Sequence, residues 1–152
     1  MKTREHQAER FCRFFSQHVA SVTQGQESAV LCDVLRFLKI LLRSVNVLGS
    51  FEGGISSYAL LTTLLCVVQQ KQKGPNGASY LQGVTKIQLF VDFAEFVSNF
   101  NPDEHAICIA RGGKQPKHRQ WTPLLYSHFH FTTHFHPQII IQLKSISNLL
   151  LE

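Results

Sequence analysis

Arg36, Lys39 and Arg43 recur at steps of three and four residues, a spacing that puts three cations on one face of a helix. Val34, Leu35, Leu38, Leu41 and Leu42 cover much of the remaining circumference, so the segment reads as a mostly buried helix with one cationic stripe. After it, Gly53-Gly54 permits a tight backbone turn or the close approach of another group. Ser56 or Ser57 is then a natural N-cap for the apolar run from Tyr58 to Val68. Unpaired amides, the positive end of a helix dipole and a hydroxyl meet at such a start, which is the chemistry of an anion site. The plainer reading of the same residues is a capped helix start, with Tyr58 a core aromatic and Arg43 a solvated charge.

In combination, Leu38-Lys39-x-x-x-Arg43 and Gly53-Gly54-Ile55-Ser56-Ser57-Tyr58 resemble the central helical domain of the noncanonical poly(A) polymerases and terminal uridylyltransferases. That family lies within the DNA polymerase β-like nucleotidyltransferases, and the nuclear RNA-surveillance polymerases are the type most like this chain. The resemblance continues through a helix from Leu81 to Phe100 and the segment Ile107 to Gly113, and so covers about residues 28–113. It implies that Lys39 and Arg43 contact the triphosphate of an incoming nucleotide, that Ser57 hydrogen-bonds phosphate, and that Tyr58 stacks on the base. Gly53 and Gly54 would form the turn that admits the phosphates. For a full enzyme it implies ATP, favoured over UTP, with Mg²⁺ or Mn²⁺, and RNA as the second substrate.

Nucleotidyl transfer by two metal ions needs clustered carboxylates. The family supplies them from a Gly-Ser turn, an Asp-x-Asp pair and a later Asp on a separate α/β domain. Here Gly49-Ser50 is followed by Phe51-Glu52, and Asp33, Asp92 and Asp103 are the only aspartates, no two of them two residues apart. Asp92 with Glu95 and Asp103 with Glu104 read as solvated or capping charges rather than metal ligands. The expectation is the nucleotide- and RNA-facing portion of such a polymerase, inactive alone. The alternative is a non-catalytic helical module that binds RNA or a partner protein.

The elements that must position these residues follow from periodicity. Ala8, Phe11, Cys12, Phe15 and Val19 lie at helical spacing, predicting a docking helix from Thr3 to about Val22 within an N-terminal region 1–27. Two helices, Ala29 to Val45 and Ser57 to Gln70, flank the Gly-Gly loop, and Lys71 to Ala78 is a surface turn. Val84, Ile87, Val91, Ala94 and Val97 predict the stripe of a long helix that stops before Asn101-Pro102. A short strand, Ala106 to Ala110, then ends at Gly112-Gly113. The fold class predicted is mainly α: a helical substrate-binding domain of the poly(A) polymerase and oligoadenylate synthetase type, 28–113, with one short strand.

The remaining segment, 114–152, opens with the basic, turn-like Lys114 to Arg119 and carries His128, His130, His134 and His136 interleaved with Phe129, Phe131 and Phe135. On a strand, His-x-His puts both imidazoles on one face, and two such pairs are candidate ligands for Zn²⁺ or Cu²⁺. No flanking carboxylate or cysteine completes a familiar site, and fortuitous metal affinity is common in His-rich tracts. No metal site is therefore assigned.

In a chain of 152 residues, 44% hydrophobic, one core is expected. A net charge of +5 and a pI near 9.2 favour polyanionic partners. Cys12, Cys32, Cys66 and Cys108 are dispersed with no C-x-x-C pair, and no leader-like segment opens the chain. The longest apolar run is too short for a bilayer. These features predict an intracellular protein with reduced thiols and no membrane contact, and the resemblance favours the nucleus.

Overall fold

The computed structural model describes residues 13, 16–17, 29–44, 57–73, 80–101, 103–109, 113–116 and 137–152, with backbone alone at 57, 58, 137–139 and 142. The elements are α1 (Ala29–Ser44), α2 (Ser57–Gln72), α3 (Tyr80–Gly83), α4 (Lys86–Asn99), β1 (His105–Cys108), β2 (Gly113–Pro116) and α5 (Pro137–Leu151). The described protein is thus mainly α, with one two-stranded sheet. Of the expected first helix, Arg13, Ser16 and Gln17 are described, all helical and exposed.

In α1, Val34, Leu38 and Leu42 are buried as the sequence predicts and Leu31 joins them, whereas Leu35 and Leu41 are half-buried and Phe37 and Ile40 exposed, so the helix is covered on one side only. α2 is apolar nearly all the way round: Leu60, Leu64, Leu65, Val67 and Val68 are fully or almost fully buried, which is the pattern of a helix covered on every side. It packs against α1, α3, α4 and both strands. Its two threonines are buried as well, and Thr63 Oγ1 donates to the Ala59 carbonyl at 2.8 Å, so that hydroxyl costs the core little. No helix among the described residues is long and apolar enough to cross a membrane.

The helix expected from Leu81 to Phe100 is two helices. Val84 and Thr85 interrupt it, and Thr85 adopts an extended conformation while its side chain accepts from the Gln88 N–H at 3.1 Å. An N-cap of this kind stabilises a helix start by about 1 kcal/mol, and Gly83 just before it is a poor helix former. The buried face of α4 also differs from the expected stripe. Leu89, Phe90, Phe93, Ala94 and Val97 point inward, whereas Ile87 is 48% exposed. The reason is that α4 is apolar over more than half its circumference, so two stripes fit the periodicity and the neighbours choose between them.

The single expected strand is a hairpin. His105 pairs with Pro116, Ala106 with Gln115, Ile107 with Lys114 and Cys108 with Gly113, antiparallel. Gly113 therefore opens a strand, and Lys114 to Pro116, expected as turn, are β2. Beyond residue 136, α5 begins at a proline, a favoured first helical position, and packs along α4 with Leu143 in the main core.

Candidate functional site

The cationic face of α1 is present but not uniform. Arg36 Nη1 lies 3.8 Å from Asp33 Oδ1, one turn earlier, and Asp33 Oδ2 is 2.7 Å from Lys86 Nζ on α4. The hydrogen bond and charge of Lys86, with a lesser contribution from Arg36, hold the Asp33 carboxyl below its ordinary pKa. Lys39 is half-buried and Arg43 exposed, and among the described residues neither has a carboxylate partner. Arg43 also stands in the last turn of α1, where the dipole favours a cation.

The second half of the expected anion site is the start of α2. Its backbone is helical from Ser57, as expected, and no acidic residue occupies its first turn. Leu42, beside Arg43, and Ala59 and Leu60, in the first turn of α2, belong to the same buried cluster. Gly53 and Gly54, and the side chains of Ser57 and Tyr58, lie outside the described residues. So do His128, His130, His134 and His136.

Asp92 was expected in solvent and is instead the most enclosed charge described, its side chain 5% exposed. Tyr80 Oη donates to Oδ2 at 2.7 Å, Gln88 Nε2 donates to Oδ1 at 3.0 Å, and Lys71 Nζ lies 3.3 Å from Oδ1. These groups tie α2, α3 and α4 together through one carboxylate. Burial, and then the bond to Asp92, push the Tyr80 hydroxyl well above its ordinary value of 10.0. Asp92 lines a cavity of about 200 Å³ together with Lys71, Glu95, Asn99 and Lys114. The sequence signal for the network was available: Gln88 and Asp92 are four residues apart on a helix. The Tyr80 and Lys71 partners come from other elements and carry no local signal.

Both oxygens of Asp92 are engaged by Tyr80, Gln88 and Lys71, and no three His, Cys, Asp or Glu side chains converge among the described residues. Asp103 and Glu104 are exposed in the turn that leads into β1, where the Asp103 N–H donates to Asn101 Oδ1 at 3.0 Å, as the solvated reading predicts.

Behind this region the hairpin is seated on α2. Gln69 Nε2 donates to the Ile109 carbonyl at 2.9 Å. Gly113 has φ +106°, a conformation that side chains rarely adopt, and a Cβ there would meet Cys66 Sγ at 3.2 Å, a tight contact. Burial pushes the Cys66 thiol up to about 12 and leaves it protonated at neutral pH.

The chain matches no family model, no curated protein and no solved structure.

Proposed function

We propose that these helices are the nucleotide- and RNA-facing portion of a noncanonical poly(A) polymerase acting in RNA 3′-end adenylyl transfer. The observation that supports this reading is the pair Lys39 and Arg43, two cations without carboxylate partners among the described residues, at the end of α1 that leads into the Gly-Gly-Ile-Ser-Ser-Tyr block. In this reading Lys39, Arg43, the turn Gly53-Gly54 and Ser57 hold a triphosphate, and Tyr58 stacks on the base. ATP is favoured over UTP on the subfamily resembled, RNA is the acceptor, and the setting is nuclear. The carboxylates of nucleotidyl transfer would come from a separate domain, because the sequence holds no Asp-x-Asp pair.

The test is a titration of ATP and UTP, with Mg²⁺, against the purified chain and a Lys39→Ala, Tyr58→Ala double variant. Nucleotide binding that the double variant weakens by about tenfold or more supports the reading, with ATP bound more tightly than UTP. Binding indifferent to both substitutions, with and without a polymerase catalytic domain added in trans, overturns it.

A further inference from the structure

The opposite flank of α1 presents a surface that the nucleotide reading does not use. At about 100° per residue, Lys39 lies on one side of the exposed arc of α1, and Asp33 and Phe37 lie on the other, toward α4. There α1, α4 and α5 leave a groove of about 270 Å³, floored by Val34 and Phe90 and walled by Phe37, Ile87 and Leu150. These walls are exposed large apolar side chains: Phe37 44%, Ile87 48%, Leu150 40%, with Ile40 at 66% further along α1. Phe37 packs edge-on against Phe90, ring centroids 5.4 Å apart. Large apolar side chains exposed side by side around one groove leave surface that a partner's apolar residues can cover.

Size and charge select the occupant. At about 270 Å³ the groove has room for a few inserted side chains of a macromolecule. Its border carries Lys86 and Arg36 against Asp33, the one carboxylate among the lining residues, which leaves the border with a net positive charge. A second copy placed two-fold on this face would oppose these cations to themselves, which is unfavourable. The chain's own segment 3–22 carries Arg4, Arg10 and Arg13 against Glu5 and Glu9 and lacks the complementary sign.

We propose that the groove between α1, α4 and α5 docks an acidic amphipathic helix of a partner protein. Its apolar residues pack on Phe37, Ile87 and Leu150, and its flanking carboxylates meet Arg36 and Lys86. The proposal is independent of the nucleotide site.

The experiment is fluorescence anisotropy of the full chain with a labelled synthetic helix of about five turns. The helix carries leucines on one stripe and glutamates on both flanks, and its control has lysines in place of the glutamates. The acidic helix is expected to bind at least about tenfold more tightly than the basic one, more weakly as salt rises, and to lose about tenfold on Ile87→Ser or Arg36→Glu, both exposed positions whose substitution leaves the core intact. Equal binding of the two helices, or binding by neither, overturns the proposal. So does a concentration-dependent dimer abolished by Ile87→Ser, which assigns the face to a second copy. A tenfold gain in peptide affinity on deleting residues 1–27 overturns it in favour of the chain's own N-terminal segment.

Discussion

The outward face of α1 and the interior around Asp92 both carry charge, and they treat it in opposite ways. Asp92 is buried and surrounded by three partners drawn from α2, α3 and α4. Lys39 and Arg43 stand on a helix surface with no carboxylate partner among the described residues. A buried carboxylate whose oxygens are fully engaged orders the elements around it and has little capacity left for a ligand. Surface cations next to apolar positions keep their hydrogen-bonding capacity for something that is not part of the described fold. The carboxylate of Asp92 is therefore structural, and the two flanks of α1 carry the two sites proposed above.

The sharpest way to break this contrast is to remove each charge and measure stability by urea denaturation. Asp92→Ala strips three donors of their shared acceptor and leaves part of Lys71 and Tyr80 unpaired near the core, which costs about 3 kcal/mol. Arg43→Ala, at an exposed position, stays within about 0.5 kcal/mol of the parent on the same assay, as surface changes do. If the two variants are equally stable, the division between structural and recognition charges fails.

A smaller effect, on the hairpin side of the same interior, comes from Gly113→Ala. The positive φ and the 3.2 Å approach to Cys66 Sγ together predict a loss of about 1–3 kcal/mol. Cys66→Ala in the same chain opens the space but not the conformation, so the double variant should recover part of the loss and not all of it.

The smallest expected change is Tyr80→Phe, about 1 kcal/mol at neutral pH. Its value is in the pH dependence. The folded-state pKa of Tyr80 is raised, so its contribution is fully present below the unfolded value near 10.0 and is lost as pH rises beyond it. The parent should therefore lose stability above pH 10.0 more steeply than Tyr80→Phe, and parallel alkaline curves would show that the hydroxyl does not hold Asp92.

Much of the helical framework was legible locally. The buried positions of α1 and the course of α2 follow from apolar spacing and from unbroken apolar content, signals that act within a few turns of chain. The cationic stripe was legible for the same reason. The break before α4 was written in Gly83 and Thr85 but was outweighed by an apolar pattern that continues across it. Ile87 was misplaced because a helix apolar over most of its surface does not specify its own inward face.

By itself, then, the sequence determined a mainly α chain, the helices α1 and α2, and three cations set on one side of α1, because each depends on interactions between residues close along the chain. Tertiary structure alone decided that Asp92 is buried and partnered, that Gly113 joins a hairpin seated on Cys66, and that Phe37, Ile87 and Leu150 form an open groove. Each of these depends on which distant element arrives as a neighbour, and burial, desolvation and pairing are properties of that arrival rather than of any residue in isolation.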